Sequence, residues 1–146
     1  MTVEVEEIVQ KIMEMTMNFV NFIPKVSELE KMSTTELYIF LLIGTNQRVF
    51  NSEVSKKLGI SRSTVSMALK RLSKSDLIEM VEDELDRRFT RICLSEKGKK
   101  IYNNFLKSFS KIIESVFKSL EPEKVQKLNE SFDTLLDFSN KAIRNE

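Results

Sequence analysis

The chain has no histidine, no tryptophan, one cysteine, 3 glycines and 2 prolines among 146 residues. Without histidine it lacks the commonest general base and metal ligand, and the side chain that titrates near neutral pH. An enzyme would have to work with carboxylates or lysines. No nucleophile–base pair, Gly-rich phosphate loop or Cys/His zinc spacing accompanies them. The sequence therefore predicts a protein that is not an enzyme and has neither a metal site nor a cofactor. The lone Cys93 rules out an internal disulfide and fits a reducing compartment. So little Gly and Pro argues against a turn-rich all-β fold and for long helices. The longest apolar run, Leu37 to Ile43, is far shorter than a membrane span. The first residues carry Glu4, Glu6 and Glu7 rather than a basic stretch, so no signal peptide is expected. A cytoplasmic location without a membrane partner follows as the expectation.

What is present is segregated charge. Hydrophobic residues make up 41% and charged residues 31%, a balance typical of a soluble domain, and the net charge is +1. Yet Lys56, Lys57, Arg62, Lys70, Arg71 and Lys74 fall in one stretch that contains no acid. The compensating acids lie in the first 36 residues and from Glu79 to Asp86. Such segregation is the footprint of a surface that faces nucleic acid. A solvated helix face is the plainer reading of the charge alone.

Within that stretch, residues 51–74 read as two short helices joined by a tight turn. Asn51 and Ser52 are cap-type residues for the first helix, which carries Val54 and Leu58. Gly59 supplies the turn because it takes the left-handed conformation without steric cost. Ser61 stands where an N-cap belongs. The second helix is predicted to bury Val65, Ala68, Leu69 and Leu72. Its other face presents Arg62, Ser63, Ser66, Lys70 and Lys74. Small hydrogen-bonding groups beside cations suit base edges and their flanking phosphates. The second helix should stop near Ser75-Asp76.

Around this pair the rest falls into place. Residues 3–23 form a broadly apolar helix through Ile8, Ile12, Met15 and Phe19, ended by Pro24. Residues 24–32 read as a polar connection. Ser33 to Glu36 fits a capping box that opens a helix ended by Gly44. Val49-Phe50 is a candidate edge strand. Residues 77–81 and 87–94 read as two strands around the charged loop 82–86, a β-wing whose basic residue can reach the minor groove. A helix then opens at Ser95 with its stripe on Ile101, Phe105, Phe109 and Ile112. Pro122 starts the last helix. The predicted fold class is mainly α with a small β-wing, a winged helix-turn-helix flanked by long terminal helices. The predicted units are 1–32, 33–98 and 99–146. The terminal helices have apolar faces too wide for a lone soluble chain, so a two-fold homodimer is expected. It would set two reading helices about 34–36 Å apart on a pseudo-palindrome in double-stranded DNA.

The order of elements and the local wording resemble the MarR family of winged helix-turn-helix regulators. LGISRSTVSMALKRL resembles the recognition segment. DRRFTRICLSEKG resembles the wing, through Asp86, Arg88, Leu94, Ser95 and Gly98. The resemblance implies a homodimer that binds operator DNA, usually as a repressor released by a small ligand or an oxidant. It places Arg62, Ser63, Thr64, Ser66 and Lys70 on the recognition helix, Arg88 at the wing arginine and Asp86 at the acid that steadies it. Asp76 departs from the usual glycine, and Glu82, Asp83 and Glu84 make this wing unusually acidic.

The expected DNA-binding set is Ser61, Arg62, Ser63, Thr64, Ser66, Lys70, Lys74, Asp86, Arg87 and Arg88. Arg62 can pair with guanine or touch phosphate, and Ser61 can cap its helix or meet a phosphate. Cys93 is either a redox sensor beside Arg87 and Arg91 or a half-buried strand residue. The resemblance also implies an effector pocket, placed near Met13, Met17, Phe40 and Phe105 and suited to an apolar or aromatic molecule. The alternative reading of the whole chain is a protein-interaction module that kept the fold without specific DNA binding.

Overall fold

A computed structural model describes residues 3–22 and 26–144 of the chain. Helices α1 (Val3–Phe22), α2 (Ser27–Glu30) and α3 (Thr34–Asn46) come first. Strand β1 (Val49–Phe50) leads into α4 (Asn51–Leu58) and α5 (Arg62–Lys74). Strands β2 (Ile78–Glu82) and β3 (Thr90–Leu94) form the wing, and α6 (Glu96–Phe117) and α7 (Pro122–Arg144) complete the chain. The three strands make one antiparallel sheet in the order β1-β3-β2, with Ile78 opposite Leu94 and Val49 opposite Ile92. Among the described residues no helix is long and apolar enough to cross a membrane.

The core sits under α5. Ile39, Phe40 and Ile43 of α3 are completely buried, as are Val54 of α4 and Val65 of α5. Ala68, Leu69 and Leu72 join them at one-turn intervals along α5, and Ile78, Ile92 and Leu94 close the core from the sheet. Burying a side chain of this kind stabilises by roughly 1.5–3 kcal/mol, so the inner face of α5 is strongly held. Ile101 and Phe105 attach α6 to the same core.

Local signals account for most of the boundaries. The Ser33 hydroxyl accepts from the Glu36 N–H at 3.2 Å while the Glu36 carboxylate accepts from the Ser33 N–H at 3.2 Å, which is the expected capping box. Gly59 takes φ 62°, and the Ser55 hydroxyl donates to the Ile60 carbonyl at 2.7 Å across the turn. Pro122 opens α7. Asp76 adopts φ 58° after α5, a left-handed position that its short side chain tolerates.

Four boundary expectations need correction. Residues 24–32 are not wholly a connection, because α2 forms there and buries Leu29 against the core. Gly44 does not end α3, which continues to Asn46 and breaks at Gln47 with φ 62°. Gly44 instead makes room for Tyr102 of α6, whose ring would overlap an added Cβ, and the Tyr102 and Thr45 hydroxyls meet at 3.0 Å. Asn51 is not a cap; it lies inside α4, and the Glu53 carboxylate accepts from the Phe50 N–H at 2.8 Å one residue earlier. The returning strand begins at Thr90 rather than at residue 87, since residues 87–89 are spent in the turn of the wing. Ile23 and Pro24, read as the end of α1, lie outside the described residues.

A buried serine joins the residues after α5 to the long helix α6. Ser95 is 3% exposed. Its hydroxyl caps α6 by accepting from the Gly98 N–H at 2.9 Å and donates to the Asp76 carbonyl at 2.6 Å. Gly98 carries no side chain because an added Cβ would collide with the Leu77 carbonyl oxygen. Ser95→Ala should therefore lower unfolding stability by about 1–3 kcal/mol, through a lost cap and an unpaired carbonyl. Urea unfolding of the variant beside the parent measures this.

Candidate nucleic-acid interface

Helix α5 turns its polar residues outward because its apolar ones are fixed inward. Arg62, Ser63, Thr64, Ser66, Lys70 and Lys74 are all exposed on the side away from Val65, Leu69 and Leu72. Its first turn is organised by Ser61, whose Oγ accepts from the Thr64 N–H at 3.1 Å. The hydroxyls of Ser63 and Thr64 stand 2.9 and 2.8 Å from the same oxygen. Ser61 is thus an N-cap within a group of three hydroxyls at a helix end that favours anions. Arg71 does not belong to the outer face. Its Nη1 lies 3.3 Å from the Glu36 carboxylate, which ties the end of α5 to the capping box of α3.

The wing is an ordered turn held by two acids. Asp86 accepts from the Arg88 guanidinium through two nitrogens, Nε at 3.0 Å and Nη2 at 2.7 Å, and from the Arg88 backbone N–H at 3.1 Å. The Arg88 side chain remains 85% exposed. The pairing holds the Asp86 carboxyl below its ordinary pKa, chiefly through the Arg88 side-chain bond, and raises Arg88. Asp83 faces inward. Its Oδ1 accepts from the Leu85 N–H at 2.7 Å and the Asp86 N–H at 3.2 Å. Its other oxygen lies 3.2 Å from Nε of the half-buried Arg91, an ion pair without hydrogen-bond alignment. Glu84 points into solvent, 3.8 Å from Arg91. Of the three acids that make this wing negative, Asp83 is structural and already neutralised. Cys93 is half-buried on β3 with its thiol 3.8 Å from the Glu79 carbonyl.

The structure brings Arg62 and Arg88 to one open groove. Phe50, Asn51, Ser52, Phe89 and Thr90 line the rest of it. Phe50 and Phe89 meet edge to face with centroids 5.9 Å apart and pin the base of the wing beside α4. The helix-turn-helix and the wing therefore share a groove lined by both arginines. Asn51 and Ser52 belong to this surface, whereas sequence reasoning assigned them to a helix cap. Their alternation with Val54 marks α4 as amphipathic, but nothing local reveals what faces them. Arg87 and Lys70 are exposed nearby in the chain but do not line the groove.

The expected effector pocket is not assembled. Phe40 is fully buried and Phe105 is 8% exposed, both within the core. Met13 and Met17 lie on exposed α1 at 59% and 64% exposure. The reason is that core packing claimed the two aromatics. A separate cleft of about 320 Å³ lies between α2, α3, α5 and α6. Glu28, Lys31, Met32, Glu36, Arg71 and Lys97 are among its walls, so its lining is mixed rather than apolar.

Fold and surface together define a winged helix-turn-helix. Residues 31–88 match the model of the MarR family. The transcriptional regulator AdcR of Streptococcus pyogenes is 33% identical over 94 residues, 55% of this chain and 63% of that relative's length. A MarR-like transcriptional regulator from Thermotoga maritima superposes with a TM-score of 0.75 at 28% identity, covering 96% of this chain and 98% of the other. FabT of Streptococcus pneumoniae, solved in complex with DNA, superposes with a TM-score of 0.73 at 24% identity, over 95% and 97% of the two chains, and shows the shared fold. The chain is therefore similar to MarR-family transcriptional regulators over residues 31–88 and in its fold, and it spans less than two thirds of the length of AdcR.

The Asp83 contacts carry a pH dependence. Its carboxyl is held below the ordinary value of 3.8, first by the Leu85 N–H, then by Asp86 and the charges of Arg91 and Arg48, against desolvation. A folded-state pKa below the unfolded one gives stabilisation that is complete above the unfolded value and is lost as pH falls through the folded one. The amide resonances of Leu85 and Asp86 should therefore shift together in an acid titration, with a midpoint below 3.8. Asp83→Asn should abolish that shared transition.

Proposed function

We propose that the chain is a homodimeric, sequence-specific DNA-binding regulator of transcription, a repressor relieved by a small ligand. The observation that carries the reading is the shared groove with Arg62 on α5 and Arg88 on the wing. Helix α5 enters the major groove, where a guanidinium can pair with guanine at two points. Lys70 and Lys74 meet the flanking phosphates. Arg88, aimed by Asp86, reaches the adjacent minor groove, where a narrow A·T tract concentrates negative potential. The inward position of Asp83 favours this approach, because its charge is spent inside the wing.

The dimer follows from unburied apolar surface. On α1, Ile8, Ile12, Met13 and Met17 are between 42% and 64% exposed, and on α7 Phe132, Leu136 and Phe138 are between 47% and 68% exposed. Soluble monomers rarely leave so many large apolar side chains wet on adjacent turns. A two-fold assembly of these helices covers them and fixes the spacing of two α5 helices. The ligand reading rests on the cleft between α2, α3, α5 and α6. An occupant there touches α2, the starts of α3 and α6, and the C-terminal end of α5.

Arg62→Ala should weaken specific binding by about 1–3 kcal/mol and relax base preference, and affinity should fall steeply with added salt. Fluorescence anisotropy against operator and random DNA measures both. Unchanged operator affinity in Arg62→Ala and in Arg88→Ala alike would sink this binding mode. A parent protein that binds every duplex equally would instead support a protein-interaction module. Sedimentation equilibrium at micromolar concentration should return twice the chain mass of 17.0 kDa. A folded species of single-chain mass would refute the dimer.

A further inference from the structure

We infer that Asn51 of α4 is a positioning residue that turns the Ser66 hydroxyl of α5 into a hydrogen-bond donor aimed at DNA. The inference rests on the proposed reading of DNA by α5 and names a specificity determinant outside that helix.

The two residues are fifteen apart in sequence and meet across the helix-turn-helix. The Asn51 side-chain amide Nδ2 donates to Ser66 Oγ at 3.3 Å. Asn51 also lines the groove that contains Arg62 and Arg88. Serine and threonine hydroxyls inside helices commonly donate to the carbonyl four residues back. Thr16, Ser131 and Thr134 do so here, at 2.8, 2.7 and 3.0 Å. Ser66 is different, because its oxygen accepts from Asn51. A hydroxyl has one proton and two acceptor positions. With one acceptor position filled by Asn51, and no carbonyl of α5 taking its proton among the described residues, that proton is available to the outer face of α5. The partner it suits is an acceptor on a base edge in the major groove, such as N7 or O6 of guanine or O4 of thymine.

A second observation concerns the other end of the amide. Asn51 Oδ1 is buried and has no hydrogen-bond partner. An unpaired buried acceptor is unfavourable. An apolar residue of similar size would avoid that penalty if Asn51 served packing alone. The arrangement is explained if the amide is retained for what it does to Ser66.

The test is selection of bound duplexes from a randomised library, with the full chain as parent, Asn51→Ala, Ser66→Ala and the double variant. Asn51→Asp is added because it keeps the side-chain shape, removes the donor and obliges Ser66 to donate inward. Thermal unfolding monitors folding of each. Asn51→Ala and Ser66→Ala should relax preference at the same base pair, each by roughly tenfold. The double variant should go no further, as expected for two groups acting as one unit. Asn51→Asp should lose the same preference, while Arg62→Ala alters a different base pair. If Asn51→Ala and Asn51→Asp keep the parent's preference where Ser66→Ala loses it, Asn51 has no positioning role. Additive losses at separate base pairs also overturn the inference. A parent chain that selects no sequence overturns the proposal of specific DNA reading, and this inference with it.

Discussion

The arrangement depends first on the packing of α5 against α3. Val65, Ala68, Leu69 and Leu72 enter a core built on Ile39, Phe40 and Ile43. That contact removes every rotation of α5 except one. The outward direction of Arg62, Ser66, Lys70 and Lys74 is therefore a consequence of apolar burial and not of their own chemistry. Polar contacts refine the placement. Arg71 is tethered to Glu36, and the Asp76 carbonyl accepts from the buried Ser95 hydroxyl. The C-terminal end of α5 is thereby fixed to α3 and to α6.

The wing solves a problem of charge. An acidic hairpin beside a DNA-facing helix would repel phosphate. Here Asp83 is folded inward to cap the backbone of its own turn and to face Arg91. Asp86 is occupied by Arg88 and sets the direction of that guanidinium. Only Glu82 and Glu84 keep their carboxylates in solvent. The acids of the wing are thus largely the means by which its arginines are placed. Phe50 and Phe89 then bind the wing to the start of α4, so that the wing arginine and Arg62 share a groove.

The terminal helices follow another logic. Every residue of α1 with a described side-chain environment is exposed, and α7 is exposed from residue 129 to 142. Their stripes are legible in sequence, but within a single chain they have no core to join. The winged unit, by contrast, completes its own core. This difference in apolar burial separates the terminal helices from the winged unit.

Periodicity, caps and turn residues determined most of the elements by themselves. The inner face of α5, the Ser33 box, the left-handed Gly59 and the Ser61 cap all depend on groups within a few residues of one another, where local sterics and hydrogen bonding decide the conformation. Family-like wording from Glu53 to Gly98 placed the second helix of the pair and the wing, although the returning strand begins at Thr90. Contacts between distant residues were settled only by the tertiary structure. Gly44 reads as a helix stop, yet α3 runs through it because Tyr102 needs the space. Phe40 and Phe105 read as pocket walls, yet the core absorbs them. Asn51 reads as a cap, yet it lies beneath Ser66 and touches the same groove as Arg88. In each case the deciding neighbour is remote in sequence. A residue's chemistry is written locally, but the surface it serves is chosen by whatever the fold packs against it.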